Sequence, residues 1–461
     1  MKQGFKEFTE KYKANPAWYW LLFTVFSFFL LPEYVSPFIL FAAYIIFKRQ
    51  WTKEGRLARL GNIGKIELCF LTYMLISALW SKTKLDTLGS AGLWWAVILI
   101  QVMIYNLART RERIEKIISA LVASAAINGA VGAVQFVTFV LYANGYYPLR
   151  LVLTTPFYRN LDTAVYTAMP FKISTFMWTN RASGFFSNPN LLATFMIVAF
   201  PLGVYLLFNA KSKKEKVLRF AALVCISFGM ASTQTRAGCY LMIALWVGLF
   251  ILFLKRHALT MLALAVPTVG SSVFSILSRY GRINIYPNVT FLPVSPEEAL
   301  LSSARHFEIW RSMLDFLTHH AFPLIFGMGF GCESSGRVLL TYGLNKPHSH
   351  NFVIEIWAEL GIVGLIFLFV IICYAAGKLL EIDITKNNTL EITAILMFSF
   401  ISYFAFGLSD YIFNSPKQII FMMILIGLIQ AASYTFEKHE IHTRKDLIRI
   451  ARNDMNALIR Q

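Results

Sequence analysis

The segment NFVIEIWAELGIVGLIFLFVIICYAAG, Asn351–Gly377, decides the fold class. From Leu360 onward it carries no charged residue, and about 20 apolar residues are what a helix needs to cross the hydrocarbon core of a bilayer. Its two acids, Glu355 and Glu359, stand near its start, where a charge can serve a helix end or a site. Runs of the same kind recur on both sides along the 461 residues. Before it come Pro16–Leu31, Tyr34–Phe47, Ile66–Trp80, Thr87–Leu107, Ile117–Tyr142, Pro189–Phe208, Leu218–Ser232, Ala237–Leu254 and Ala258–Leu277. After it come Leu390–Leu408 and Gln418–Thr435. No polar linker of the kind that joins soluble domains separates them. The chain is 57% hydrophobic and only 15% charged, against about 45–50% and about 25% in soluble proteins, and its mean hydropathy is +0.56. A long soluble enzyme and a disordered chain are excluded. The five cysteines form no CxxC or Cys/His cluster, so neither a disulfide framework nor a zinc site is supported. The expectation is an all-α integral membrane protein: one polytopic domain over residues 1–461, with about 12 transmembrane helices.

A formal charge of +18 invites a nucleic-acid reading, but no polar stretch is long enough to build a basic water-facing domain. Cationic loops beside apolar spans are what the positive-inside rule leaves behind. With the N-terminus in the cytoplasm and sides alternating, 29 of the 43 Lys and Arg residues fall inside. KRQWTKEGRLAR after Phe47 and KSKKEK after Ala210 lie close to span ends, where the bias sets orientation. Both termini are therefore expected in the cytoplasm. No small-residue cleavage site follows the first span, so a removable signal peptide is not expected.

Two external loops are then long, 143–188 and 279–350, and loops of that length are usually functional or disordered. Within the second, Leu300, Phe307, Trp310, Met313, Leu314 and Leu317 share one helical face, opposite Arg305, Glu308, Ser312, Asp315 and His319. This predicts an amphipathic surface helix over Glu297–His320. The basic tail 437–461 has helical spacing suited to an anionic inner leaflet.

Four external clusters carry chemistry. TNRASGFFSNPN brings Arg181, Asn188 and Asn190 to the mouth of the sixth span, and STQTRAG carries Gln234 and Arg236 in a tight turn. SSARHFEIWR supplies Arg305 and Arg311, and KPHSHN supplies His348 and His350. Arginine offers a planar, permanently charged fork for phosphate oxygens, and histidine can act as a base near neutrality. One external face holding both suits an anionic group and a proton transfer. Each feature alone has a plainer reading, as a headgroup anchor or a helix cap. No carboxylate pair of the DxD kind lies on this face to hold a divalent metal.

At these clusters the sequence resembles the O-antigen ligase and O-antigen polymerase family of bacterial envelope glycosyltransferases. The likeness rests on RASGFFSNPNLLA (Arg181–Ala193), TQTRAG (Thr233–Gly238), ARHFEIW (Ala304–Trp310), HHAFPLIFGMGFG (His319–Gly331) and HSHNFVIEIWAELGIVGL (His348–Leu365), in the family's order. The resemblance implies transfer of a glycan from an undecaprenyl-diphosphate carrier to an acceptor hydroxyl on the external or periplasmic face of the cytoplasmic membrane, with inversion and without metal or other cofactor. It implies that Arg236 and Arg305 hold the diphosphate and that His350, before Asn351, takes the acceptor's proton. Arg181 and Arg311 are further candidates for the anion, Gln234 and Asn351 for the substrate, and His348 is the rival base. Aromatic residues of the first loop, Tyr146, Tyr147, Phe157 and Trp178, suit stacking on sugar or lipid. The partners implied are the lipid-linked donor, a glycan or glycolipid acceptor and the bilayer, with no nucleic acid. Ligase and polymerase are not separated, nor are the sugars. A 12-span secondary transporter shares the architecture, although the middles of the spans are nearly free of charge and the halves look unrelated. A non-catalytic polysaccharide export component is the third reading.

Overall fold

A computed structural model describes residues 9–31, 35–143, 181–280, 283, 296–384 and 389–436. The four loop aromatics named above and the basic tail 437–461 lie outside the described residues. Among those described, the regular structure is helical, with no β-strand.

In chain order the helices are α1 Pro16–Ser27, α2 Ser36–Lys53, α3 Gly61–Ile76, α4 Lys84–Leu107, α5 Arg111–Ala143, α6 Pro189–Phe208, α7 Lys213–Ser232, α8 Arg236–Ala265 and α9 Ser271–Arg279. They continue with α10 Pro296–His319, α11 Ala321–Phe326, α12 Cys332–Thr341, α13 Phe352–Leu380, α14 Thr389–Gly407 and α15 Pro416–Phe436. Every span expected from hydropathy falls largely on helix. Eight helical runs among the described residues are long and apolar enough to cross a membrane, which makes this a multi-pass membrane protein. One of them, Arg236–Arg279, is 44 residues long and breaks at His257 (φ −136°). That break lies between the two spans expected at Ala237–Leu254 and Ala258–Leu277.

Local signals start the helices that matter most. Asn188 caps α6 by accepting the Asn190 N–H at 2.8 Å, and Pro189 supplies the first helical residue. Asn351 caps α13 through the N–H groups of Val353 (2.9 Å) and Ile354 (3.2 Å). Helices α6 and α15 form the centre of the bundle, with 94% and 89% of their apolar windows buried. A helix apolar all round is expected there.

Helix α13 is interrupted at Gly361, whose φ is +67°. A Cβ there would meet the Ile325 carbonyl oxygen at 2.2 Å, and one at Gly327 (φ +78°) would meet the Glu359 carbonyl oxygen at 2.2 Å. Only glycine permits so close an approach of two backbones with φ positive. The interruption frees carbonyls, and the Gly-Met-Gly segment takes them up. Met328 N–H donates to Ala358 O and Gly329 N–H to Glu359 O, each at 2.9 Å. Tyr73 Oη donates toward the Phe326 and Leu360 carbonyls, each at 3.0 Å.

The external helix α10 forms where the periodicity places it, with its buried stripe turned somewhat from the expected face. Ile309, Met313 and Leu317 are buried against Val338, Leu339, Ile354 and Ala358 of α12 and α13, whereas Phe307 is 66% exposed. Met313 and Leu317 of the expected face are buried and Trp310 packs beside them, so the expected face is corrected by a turn of about half a residue step, away from Phe307 and toward Ile309. The reason is the partner: α10 packs on helices along a stripe at i, i+4 and i+8 rather than on a flat apolar surface.

Candidate active site

Four helix starts share one end of the bundle: those of α6, α8, α13 and α15. Each start presents the positive end of a helix dipole. His350 precedes α13 and has φ +54°, a left-handed conformation unusual for a side chain of this size. Its neighbours hold it there. The Ser349 N–H donates to Glu355 Oε2 at 2.6 Å, and the Ser349 carbonyl accepts from Trp310 Nε1 at 2.8 Å. The Ser349 hydroxyl donates to the Asn351 carbonyl at 3.0 Å. The His350 N–H donates to His348 Nδ1 at 3.2 Å.

His350 Nδ1 lies 3.0 Å from Asp410 Oδ1. Asp410 sits in the turn between α14 and α15 and is buried. Its second oxygen accepts from Asn190 Nδ2 at 2.7 Å, and Oδ1 also accepts the Tyr411 N–H at 2.9 Å. Burial pushes its carboxyl up, but the His350 hydrogen bond, the charges of His350 and His348 and the Asn190 hydrogen bond outweigh it, and the group is held down at about 2. Paired in this way, Asp410 accepts from Nδ1 and leaves Nε2 of His350 as the basic nitrogen.

His348 is buried, and its ring centroid lies 4.2 Å from that of His350. Burial first, then the neighbouring His350, lowers its pKa to about 4. His306 of α10 stacks on His350 with centroids 5.1 Å apart and planes within 16°. Burial and the charge of His350 lower it as well.

The arginines separate by role. Arg181 is turned inward: Nε donates to the Thr233 carbonyl at 2.8 Å, and Nη2 donates to Thr235 Oγ1 at 2.7 Å and to Asn190 Oδ1. Its pKa is lowered to about 10, first by removal from water and then by Arg279, with Arg236 contributing in the same direction. Arg236 is half-buried, with its guanidinium 5.7 Å from the Tyr280 ring. Arg181, Arg236 and Arg279 thus gather cationic charge at one end of the bundle. Gln234, beside Arg236, is buried with φ +49°. Arg305 is exposed on α10, one residue from His306. Arg311 is exposed two turns further along and lines an open hollow of about 450 Å³ with Phe307, Trp310 and Leu314.

The structure therefore brings together His350, His348, Asn351, Arg181, Gln234 and Arg236, and leaves Arg305 and Arg311 on the outer face of α10. Asp410 and His306 are the participants that sequence reasoning passed over. A lone acid in the turn Leu408-Ser-Asp410-Tyr411 was the available signal for the first. His348, His350 and Asp410 place ligand-type atoms within 4.8 Å of one another. Their near sides are used among themselves, however, and the surrounding charge is cationic, so the arrangement suits a proton-transfer pair better than a metal.

Residues 221–369 match the family model described as O-Antigen ligase. That segment holds Arg236, Arg305, Arg311, His348, His350 and Asn351, and ends before Asp410. A relative among characterised proteins, the teichuronic acid biosynthesis protein TuaE of Bacillus subtilis (strain 168), is 23% identical over 266 residues, 54% of this chain and 51% of the relative. The match thus spans about half the length of that relative. The two findings bear out the resemblance to the O-antigen ligase and polymerase family in a multi-pass membrane protein.

Proposed function

We propose that the chain is a membrane glycosyltransferase of the O-antigen ligase and polymerase type. It would have twelve spans and cytoplasmic termini, and would act at the external or periplasmic face of the cytoplasmic membrane in cell-surface polysaccharide or lipopolysaccharide assembly. The donor is a glycan on an undecaprenyl-diphosphate carrier, and the acceptor is a hydroxyl of a second glycan or glycolipid. The observation that carries this reading is the His350–Asp410 pair at 3.0 Å, set among helix starts beside Arg236.

In this reading the acceptor oxygen attacks the anomeric carbon from the side opposite the diphosphate. The bond from that carbon to the carrier's phosphate oxygen breaks, and the configuration inverts. The acceptor's proton passes to Nε2 of His350, while Asp410 on Nδ1 stabilises the imidazolium. Negative charge grows on the departing diphosphate, where Arg236 and the helix starts stabilise it. Arg305, exposed on the outer face of α10 and with no hydrogen-bond or ion-pair partner among the described residues, is a further candidate for the same anion.

The test uses cells carrying His350→Ala, with His348→Ala alongside and protein levels measured in membranes. Accumulation of lipid-linked donor with the first variant only is the expected result. Normal glycan assembly with both would overturn the reading and favour a transporter or an export component, as would uptake of a labelled solute by purified protein in liposomes.

A further inference from the structure

We infer that Asn190 is a positioning residue for the His350–Asp410 pair, and that Arg181 acts through it rather than on the donor. The inference rests on the glycosyl-transfer reading. A guanidinium grips phosphate best with Nε and one terminal nitrogen, two parallel N–H groups on one edge. In Arg181 that edge is occupied by protein, with Nε on the Thr233 carbonyl and Nη2 on Thr235 Oγ1 and Asn190 Oδ1. An anion gripped along that edge would have to displace all three, which leaves only Nη1 to meet a ligand without breaking them.

These contacts fix the Asn190 amide. Its Oδ1 faces Arg181 and, at 3.2 Å, Thr235 Oγ1, so the amide has one orientation, with Nδ2 on Asp410 Oδ2 at 2.7 Å. Asp410 then has both oxygens occupied, and its plane is set relative to the His350 ring. A continuous line of hydrogen bonds runs from Arg181 through Asn190 and Asp410 to His350 Nδ1. It ties the mouth of α6 and the turn before α8 to the turn before α15. A wholly structural role would need only the Arg181 contacts to the Thr233 carbonyl and Thr235. The amide link to the carboxylate points to a second task, holding that carboxylate against the imidazole.

The test compares full-length Asn190→Ala, Asn190→Asp, Arg181→Gln and Arg236→Gln, purified in lipid nanodiscs with lipid-linked glycan donor. Asn190→Ala and Arg181→Gln are expected to lower kcat roughly 10- to 100-fold with donor KM within about twofold of the parent, while Arg236→Gln raises KM. Asn190→Asp sets a second carboxylate beside Asp410. The charged groups around His350 are then Asp410 from the turn before α15, His348 and Lys346 from its own loop, His306 from α10 with Arg236 of α8 acting on it, and Glu355 from α13. Two carboxylates in hydrogen-bond contact share one proton, so this variant keeps a donor on Asp410 only while that proton is held, and its kcat profile gains an alkaline limb that the parent lacks. If Asn190→Ala fails to accumulate, Asn190→Asp keeps the shape and carries the test.

A raised donor KM in Arg181→Gln, matching Arg236→Gln, would place Arg181 on the donor and overturn the inference. Parental kcat and pH profile in the Asn190 variants would reduce the line to scaffold. Failure of the reading beneath it has its own signature, undiminished transfer by His350→Ala.

Discussion

Asp410→Asn is the substitution that tests the proposed chemistry most sharply. The side chain keeps its size, but the negative charge facing the imidazole is gone, and with Oδ1 still accepting from His350 and the Tyr411 N–H the new NH2 group meets Asn190 Nδ2, so that hydrogen bond is lost as well. Holding the carboxyl at about 2 instead of 3.8 corresponds to about 2–3 kcal/mol of interaction favouring the ionised form. The hydrogen bond to His350 and the charges of His350 and His348 supply most of it. The hydrogen bond between the two side chains holds the imidazolium as the acceptor's proton arrives, and a hydrogen bond to a charged group is worth about 1.5–3 kcal/mol. Its loss alone lowers kcat about 10- to 150-fold. If the substituted amide turns its nitrogen toward Nδ1, the ring must accept there and protonate Nε2, and the loss approaches the roughly 10⁴-fold typical of a base in the wrong tautomer. The assay is single-turnover transfer from lipid-linked donor in nanodiscs, with donor binding measured separately. The expected outcome is a loss between those limits with donor affinity unchanged. A rate within threefold of the parent, while His350→Ala is inactive, would refute the pairing as a catalytic element.

Other consequences follow from the same geometry. Trp310→Phe removes the Nε1 hydrogen bond to the Ser349 carbonyl, 2.8 Å long, a bond worth about 1 kcal/mol; kcat should fall several-fold with membrane levels of the protein unchanged. Gly361→Ala puts a methyl group 2.2 Å from the Ile325 carbonyl oxygen at φ +67°, so a drop of several degrees in Tm in detergent, or failure to accumulate, is expected. For pH, His348 falls from 6.5 to about 4 on folding, so the unfolded chain binds more protons between those values. The stability it contributes is present above about 6.5 and is lost as pH falls toward about 4. Thermal unfolding should show that decline, and His348→Gln should flatten it.

Hydropathy made the helical, membrane-spanning fold legible, because lipid demands long apolar runs and internally satisfied backbone. Helix α10 was legible in extent and in the general direction of its apolar face, but not in the exact stripe that packs, since a period of 3.6 gives the width of an apolar face and not which stripe of it meets a neighbour. That rotation decides which side chain reaches the base, and it brings His306 rather than Arg305 against His350. Of the site, the two histidines and Arg236 could be named because rare charges at span ends stand out. Asp410 could not, because a single acid in a short turn has no local pattern. Its meaning comes from Asn190 and His350, which lie 220 and 60 residues away in the chain. Arg181 was legible as a charge at the right face, yet its direction is set by Thr233, Thr235 and Asn190.

The interruption of α13 bears on the choice between transferase and transporter. Transporters use broken helices to present free carbonyls and helix ends to an ion near the middle of the bilayer. Here the break at Gly361 is the tenth residue of a 29-residue helix, and the carbonyls around it are occupied: Ala358 and Glu359 by the Met328 and Gly329 N–H groups, and Leu360 by Tyr73. Little is left there for an ion to bind. What the break does is let the first ten residues of α13 take a different course from the rest, locked to the segment that follows α11. Glu355 lies on that short piece and holds the Ser349 N–H, so the glycine seam and the conformation of His350 are mechanically linked. Through that seam the glycine-rich GMGFG stretch anchors the helix segment from which the HSHN stretch is held.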